Sequence, residues 1–212
     1  MILPRSVPDW RQLIMSHSLP FDPGGDGRWI LGIADDLTGA IETGAKFAGC
    51  GLEARVTTDL AVAGAPEIPV LVVDTESRHL TAELAGRTVY ESVASALRFA
   101  PWLVYKKTDS TLRGNIAAEF RALLALMPQR PLVYAPAYPE MGRTVRRGRL
   151  FVGGLPVNES IFATDPMDPV RESDIVALLG GIPAVVLDGE SCADVRSAAD
   201  RILAVEDRKS VV

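Results

Sequence analysis

The stretch Trp-Ile-Leu-Gly-Ile-Ala-Asp-Asp-Leu-Thr-Gly, residues 29–39, decides the fold class of this 212-residue chain. Its first six residues are apolar or glycine, which is typical of a strand that is buried on both faces of a parallel sheet. The pair Asp35 and Asp36 follows at once, and apolar side chains then recur at helical spacing up to about Gly49. The stretch therefore predicts a buried strand, a polar turn and a helix, the first parts of a β-α-β unit.

The rest of the chain repeats this alternation. Further strand-like runs lie at 53–57, 70–73, 102–105 and 132–135, and helical patterns lie at 81–98 and after residue 115. Strands that alternate with helices predict an α/β fold, here a doubly wound, mostly parallel sheet with helices on both faces. The glycines and arginines of residues 143–158 predict a small β-hairpin excursion. A helix at 173–179, a strand at 184–187 and a helix at 192–203 are expected to follow.

Composition limits the class of protein and its domains. Residues 1–28 are rich in proline and glycine and are expected to form a peripheral N-terminal segment, and residues 29–206 one domain. A net charge of -5 argues against nucleic-acid binding, which depends on neutralising phosphates. No apolar run reaches the roughly 18 residues of a membrane span, and the first residues lack the order of a secretory signal. We expect a cytoplasmic protein that binds no membrane, and homo-oligomerisation stays open.

Functional groups follow the predicted strands. In open α/β sheets, ligands bind beyond the carboxyl ends of the strands. The first strand ends in Asp35 and Asp36, and the third leads to Arg78 and, with weaker support, His79. The fourth strand leads into a loop rich in charged and hydroxyl side chains, among them Lys106, Lys107, Asp109, Ser110 and Arg113. The pattern predicts a site for a small anionic substrate.

Each of these groups also has a structural interpretation. One aspartate of the first pair should cap the next helix, which leaves the other for a substrate hydroxyl or Mg²⁺, with one of the two as a general base. Lys106 and Lys107 should point to opposite sides of the sheet, so at most one faces a given ligand. Asp109 or Ser110 is expected to cap the following helix, with Arg113 in its first turn. A cation is unfavourable in a helix's first turn unless it clamps a carboxylate or pairs with Asp109.

Other chemistries find less support in the sequence. There is no phosphate-binding loop of the Walker type, no dinucleotide fingerprint and no nucleophile elbow. Two histidines make a Ser-His-Asp triad improbable. Cys50 and Cys192 lie far apart without the spacing of metal ligands, so no metal site is predicted. The basic hairpin side chains, from Arg143 to Arg149, are interpreted as solvated.

Four segments together resemble the four-carbon acid sugar kinase family. They are IADDLTGAIETGAKFA (33–48), VVDTESRH (72–79), YKKTDSTLRGNIAAE (105–119) and the run from APAYPEMGRT to GRLFVGGLPVNES (135–160). Members of that family phosphorylate threonate, erythronate or oxo-tetronate with ATP. The resemblance implies that this chain is the N-terminal substrate-binding half, that ATP is bound mainly by a C-terminal nucleotide-binding domain absent from this sequence, and that Mg²⁺ takes part.

The resemblance also implies roles for individual residues. Arg78, Arg113 and one lysine would hold the substrate carboxylate. One of the three aspartates Asp35, Asp36 and Asp109 would position or deprotonate the attacking hydroxyl, and the choice among them stays open. The implied substrate-binding set is Asp35, Asp36, Arg78, Lys106, Lys107, Asp109, Ser110, Arg113 and Gly114. The chain departs from the family pattern at Ile41-Glu42, where Asn-Asp is usual, and at Thr108, where isoleucine is usual.

The end of the sequence is unusual. Residues 207–212, Asp-Arg-Lys-Ser-Val-Val, match the translation of a common sequencing-adapter sequence, so we expect a non-native tail. On this interpretation the chain is a kinase fragment that is inactive alone. Two alternatives stay open: a stand-alone acid-sugar binding or regulatory protein, and a hydrolase or phosphatase that uses Asp35.

Overall fold

A four-stranded parallel sheet forms the centre of the computed structural model, which describes residues 28–59, 67–130 and 132–203. The predictions for residues 1–28 and 207–212 lie, apart from Arg28, outside the described residues. The strands stand in the order β2-β3-β1-β4. They are β1 (Ile30–Ala34), β2 (Ala54–Thr57), β3 (Val70–Asp74) and β4 (Leu103–Lys107). The predicted parallel sheet is confirmed.

Helices cover both faces of this sheet. Side chains that alternate along β1 separate into two apolar layers, one containing Ile30 and Ala34 and the other containing Leu31 and Ile33. The first layer packs against α1, and the second against α2 and α3. These helices are α1 (Leu37–Gly49), α2 (Ala82–Leu97) and α3 (Ile116–Leu126). The predicted two-faced architecture is confirmed.

The fifth strand differs from the single-sheet interpretation. β5 (Leu132–Tyr134) pairs in parallel with β9 (Ala184–Val186) in a separate two-stranded sheet. Its side chains still join the main core, where the Tyr134 ring meets Phe120 edge to face at 5.1 Å. An apolar run in a sequence indicates that a strand is buried, but it does not indicate which strand it pairs with. For this reason the pairing of β5 with β9, and not with the central sheet, was not predicted.

The predicted hairpin is confirmed and is larger than expected. β6 (Arg143–Arg146), β7 (Arg149–Val152) and the short β8 (Leu155–Pro156) form an antiparallel sheet. Arg147 and Gly148 both have positive φ, as a tight two-residue hairpin turn requires. The Asp188 carboxylate accepts hydrogen bonds from both of their backbone N–H groups, at 2.6 and 2.9 Å, and so fixes the turn.

The remaining elements are helical. Three 3₁₀ helices cover Pro139–Met141, Val157–Glu159 and Ile161–Thr164. They are followed by α4 (Ile175–Leu179) and α5 (Cys192–Leu203). In the part of the chain that the structure describes, no helix has the length and apolar character needed to cross a membrane.

Candidate functional site

Arg78 is the centre of a charged cluster at the carboxyl ends of β1, β3 and β4. Its Nε donates to Asp35 Oδ2 at 2.8 Å and its Nη2 to Asp35 Oδ1 at 3.1 Å, a two-pronged ion pair. Its Nη1 donates to Asp36 Oδ2 at 2.6 Å, and its Nη2 lies 4.0 Å from Asp109 Oδ1. Although burial opposes the charge, the hydrogen bonds and charge of Asp35 raise the pKa of Arg78 above its ordinary value. The guanidinium therefore stays charged and holds three carboxylates together.

The two adjacent aspartates have different positions, as the sequence indicated. Asp36 has an extended backbone and caps α1, because its Oδ1 accepts from Gly39 N at 2.9 Å. Asp35 is buried and faces Arg78. A Cβ at Gly39 would lie 2.7 Å from Asp36 Oδ1 and 3.3 Å from Lys107 Nζ. The absence of a side chain at Gly39 thus lets the cap and the lysine approach each other.

Asp109 organises the turn after β4. Its Oδ2 accepts from Thr111 N at 3.0 Å, from the Thr111 hydroxyl and from Arg113 Nε at 3.0 Å, and its Oδ1 accepts from Arg113 Nη2 at 2.8 Å. Burial alone would raise the pKa of Asp109, but the hydrogen bonds from Arg113 and Thr111 hold it well below its ordinary value. Asp109 is therefore an anion whose oxygens are already in use.

The prediction that Asp109 or Ser110 caps the following helix is wrong. α3 begins at Ile116 with Asn115 at its N-cap, so Arg113 lies before the helix and not in its first turn. The turn is closed by Leu112 N donating to the Asp109 carbonyl at 3.2 Å, and Leu112 has a φ of 64° that ends any helical path. The alternative pairing of Arg113 with Asp109 is confirmed.

Gly114 and Ser110 complete this turn. Gly114 has a φ of 85°, and a Cβ there would lie 3.1 Å from Arg78 Cγ and 3.5 Å from Asp35 Oδ2. Gly114 therefore allows the turn to pass directly beside the Arg78–Asp35 pair. Ser110 lies half-buried in the same turn.

Lys106 and Lys107 point to opposite sides of the sheet, as expected. Lys106 has a fully buried side chain, and its Nζ lies 2.7 Å from Glu119 Oε2. Glu119 Oε1 in turn accepts from Ser77 Oγ at 2.5 Å. Lys107 is on the α1 face with 19% of its side chain exposed, and its Nζ lies 3.5 Å from Glu42 Oε2. Of these two lysines, Lys107 is therefore the one whose side chain a ligand can contact.

Asp74 is a polar residue that the sequence analysis did not single out. It ends β3 and is only 1% exposed. Its Oδ1 accepts from Glu76 N at 3.0 Å, whereas its buried Oδ2 has no hydrogen-bond partner among the described residues. Burial raises the pKa of Asp74 to about 6, with a contribution from the Glu76 and Asp36 carboxylates. The signal was available, because Asp74 shares its face with Ala34 and Lys107 in the parallel register.

A late segment of the chain also reaches the site. Asp165 Oδ2 lies 3.1 Å from Arg113 Nη1, and Asp168 Oδ2 lies 2.7 Å from His79 Nδ1. Asp165 Oδ1 also accepts from the backbone N–H groups of Met167 and Asp168 and so fixes a tight turn. Sequence patterns gave no signal for these contacts, because each acid follows its basic partner by more than 50 residues.

Arg143 does not fit its interpretation as a solvated side chain. Its Nε is buried and has no hydrogen-bond partner in the part of the chain that is described. Its guanidinium carbon lies 6.0 Å from the centre of the Phe162 ring, and that of Arg113 lies 5.4 Å from the same ring. Arg146 and Arg147 are exposed, in agreement with the prediction.

The described residues do not form a metal-ligand cluster. No group of three or more His, Cys, Asp or Glu side chains among them is placed to hold a metal ion. Asp35 and Asp36, the pair predicted to meet a hydroxyl or Mg²⁺, are both bound to Arg78. What the cluster presents to a ligand is therefore carboxylate oxygens and cationic N–H groups.

Known proteins are similar to this chain in sequence. The model of the sugar-binding N-terminal domain family matches residues 30–181. A D-threonate kinase of Salmonella typhimurium is 40% identical over 155 residues, which cover 71% of this chain and 37% of that protein. A D-erythronate kinase of Heliobacterium modesticaldum is 36% identical over 172 residues, which cover 75% of this chain and 39% of that protein. The chain thus spans about two fifths of the length of these relatives.

Solved structures agree with the sequence relatives. A domain of unknown function from Bordetella bronchiseptica, a domain-swapped dimer with bound citrate, superposes with a TM-score of 0.79 at 36% identity, over 87% of this chain and 54% of that one. A Haemophilus influenzae protein at 23% identity has the same fold, with a TM-score of 0.72 over 85% of this chain and 52% of that one. The family predicted from the four sequence segments is confirmed: this chain belongs to the sugar-binding N-terminal domain family, and its curated relatives include D-threonate and D-erythronate kinases.

Proposed function

We propose that this chain is the substrate-binding part of an ATP-dependent kinase that phosphorylates a four-carbon acid sugar of the threonate, erythronate or oxo-tetronate type. One observation carries the proposal: the Arg78 cluster lies within residues 30–181, the segment that the sugar-binding N-terminal domain model matches, and relatives of this chain are D-threonate kinases. The citrate bound in the Bordetella bronchiseptica structure adds support, because citrate is also a hydroxy acid.

Asp35 and Asp36 are suited to receive the sugar hydroxyls. Each ionised carboxylate can accept about four hydrogen bonds, and Arg78 uses only some of these positions. Because Arg78 fixes both side chains, their oxygens are positioned before a substrate arrives, which lowers the entropic cost of orienting a hydroxyl. We propose that one of this pair orients the attacking hydroxyl.

Asp109 has a different part in this proposal. Its oxygens are engaged by Arg113 and Thr111 and its pKa is depressed, so it is a poor acceptor for a proton. Phosphoryl transfer needs little base catalysis, because its transition state is loose and depends mainly on positioning. We propose that Asp109 holds Arg113 in place and that Gly114 and Ser110 shape the wall of the site.

The lysines divide their roles in the same way. Lys107 would contact the substrate, since it is partly exposed on the α1 face of the sheet, which is the open face. Lys106 would act through its buried pair with Glu119, which also holds Ser77 next to Arg78. For a hydrolase that uses Asp35 as a nucleophile the geometry offers less, because both Asp35 oxygens accept from Arg78.

ATP would be the phosphoryl donor of the complete enzyme, which we propose to be cytoplasmic. Mg²⁺ would enter with the nucleotide, because Mg²⁺ commonly keeps phosphate oxygens as ligands. We propose that the site's partner is a small acid sugar rather than a nucleic acid or a membrane, and that copies of the chain can associate as the dimeric Bordetella bronchiseptica structure does.

Calorimetric titration of the 212-residue chain with D-threonate, D-erythronate and neutral threitol tests the proposal. We expect heat of binding from at least one acid and none from threitol. Arg78→Lys removes the two-pronged contact to Asp35 and should weaken acid binding at least tenfold. The control Arg87→Lys, in an exposed pair with Glu83 on α2, should bind as the wild type does. Failure of every four-carbon acid to bind would reject the proposal.

A further inference from the structure

The charge balance of the site leaves an anionic substrate without a free partner among the expected cations. Arg78 is bound by Asp35 and Asp36, and Arg113 is bound by Asp109 and Asp165. These four carboxylates outnumber the two guanidinium groups. A carboxylate that enters such a cluster meets net negative charge unless another cation compensates for it.

The lysines do not supply that cation freely. Lys106 forms its buried pair with Glu119, and Lys107 lies 3.5 Å from Glu42. Arg143 is different, because no carboxylate of the described residues lies within ion-pair distance of its guanidinium. Its Nη1 donates to the Met141 carbonyl, whereas its buried Nε has no acceptor in the described part of the chain. Nε and Nη2 together form one edge of the guanidinium. That edge has the two parallel N–H groups that match the two oxygens of a carboxylate.

Two contacts place Arg143 beside the residues of the site. On one side, its guanidinium and that of Arg113 lie against the same Phe162 ring. On the other side, Arg143 and Tyr138 exchange two backbone hydrogen bonds, at 2.8 and 3.1 Å, and the Tyr138 ring lies 4.2 Å from Lys46 Nζ on α1. Arg143 therefore stands between the turn that carries Arg113 and the helix that follows the aspartate pair.

A buried N–H of a guanidinium without an acceptor is unfavourable, and such groups are uncommon outside functional sites. The β6-β7 hairpin nevertheless holds Arg143 in this position through its backbone pairing with Val152. The arrangement is explained if a ligand supplies the missing acceptor.

We propose that Arg143 binds the carboxylate of the acid sugar through its Nε–Nη2 edge, while Arg113 remains paired with its two aspartates. The inference rests on the proposed function and deepens it, since it assigns the carboxylate to the hairpin side and the hydroxyls to the Asp35–Asp36 side. The preference for acids over neutral sugars then comes from Arg143, a residue outside the Arg78 cluster.

Calorimetry with D-threonate on Arg143→Gln tests the inference, with inorganic phosphate as a second probe. We expect D-threonate affinity to fall at least tenfold, Arg143→Lys to restore part of it, and phosphate binding not to change. The control Arg146→Gln, on the same strand and exposed, should keep the wild-type affinity. The melting temperature of Arg143→Gln should equal or exceed that of the wild type, because the variant removes an unsatisfied buried donor.

Three results would overturn the inference. Wild-type affinity of Arg143→Gln for D-threonate would reject it and leave the proposed function intact. Loss of phosphate binding with unchanged D-threonate binding would assign Arg143 to a phosphoryl group instead of the sugar carboxylate. Absence of acid binding by the wild type would reject the inference together with the proposed function.

Discussion

The two faces of the central sheet differ at its carboxyl end. On the α2–α3 face, Lys106, Glu119 and Ser77 are buried and satisfy one another's hydrogen bonds. On the α1 face, Asp74 keeps an oxygen that has no partner among the described residues, and the ion pair of Lys107 with Glu42 is long, at 3.5 Å. Adjacent residues of one strand thus belong to opposite kinds of environment. A satisfied polar network indicates a structural role, and an unsatisfied one indicates the side where a ligand binds.

The largest loss of stability should come from removing the buried Lys106–Glu119 pair on the α2–α3 face. Glu119→Ala leaves the Lys106 ammonium buried without its partner, which should reduce the free energy of unfolding by about 3–5 kcal/mol. Urea denaturation followed by circular dichroism measures this loss. Glu83→Ala, in the exposed pair with Arg87, is the control and should cost less than about 0.5 kcal/mol. Equal losses for the two variants would show that the buried network is not structural.

A substitution on the α1 face, at Asp74, should instead increase the free energy of unfolding. Because the pKa of Asp74 is raised to about 6 in the folded protein, the folded state holds this proton more tightly than the unfolded state does, and stability falls as pH rises from about 4 to 6. Asp74→Asn keeps an acceptor for Glu76 N and removes the charge. The variant should therefore be more stable than the wild type at pH 7, by on the order of 2 kcal/mol.

That stabilisation should disappear at pH 4, where Asp74 of the wild type is itself protonated. Thermal denaturation of both proteins between pH 4 and pH 8 measures the difference. Asp200→Asn, on an exposed position of α5, is the matched control and should show no such dependence. A constant difference between Asp74→Asn and the wild type across this range would mean that the Asp74 carboxyl does not change its protonation there.

A smaller effect is expected where the turn passes Arg78. Gly114→Ala places a side chain at a φ of 85° and 3.1 Å from Arg78 Cγ, so it should cost about 1–2 kcal/mol of stability and also weaken acid binding. Gly51→Ala has a similar φ of 83° with open space around its Cβ. We expect Gly51→Ala to lose stability without losing affinity. Unchanged affinity in both variants would separate Gly114 from the binding site.

The smallest effect on stability should come from Lys107. Lys107→Gln removes a partly exposed cation whose partner lies 3.5 Å away, which should change the free energy of unfolding by less than about 1 kcal/mol. Affinity for D-threonate should fall severalfold by calorimetry, because the cation on the open face is lost. A variant that unfolds more easily yet binds normally would place Lys107 with Lys106 on the structural side.

Much of this contrast follows from the alternation of side chains along β4. That periodicity placed Lys106 and Lys107 on opposite faces, and the polar runs after the strands placed Asp35, Arg78 and Asp109 at one edge. The β5–β9 pairing could not be predicted, because an apolar run does not name its partner strand. The positive φ of Leu112 was equally hidden, since leucine rarely adopts that conformation.

The contacts that Phe162, Asp165 and Asp168 make with the site also could not be predicted from the sequence. Asp165, Asp168 and Phe162 meet Arg113, His79 and Arg143 only through the tertiary fold. Arginines near a glycine-rich turn are usually solvated, and the pattern around Arg143 carries no mark of its buried Nε. Arg143 differs from the paired Arg78 and Arg113 only in its tertiary surroundings, where its buried Nε has no partner among the described residues.

A crystal structure of the 212-residue chain with bound D-threonate tests most directly whether the open face is the acid-sugar site. We expect the sugar hydroxyls to lie against Asp35 and Asp36 and the carboxylate against Arg143, with Lys107 within reach and Lys106 still paired with Glu119. D-threonate bound away from the carboxyl ends of β1, β3 and β4, with the Arg78 cluster untouched, would contradict this expectation.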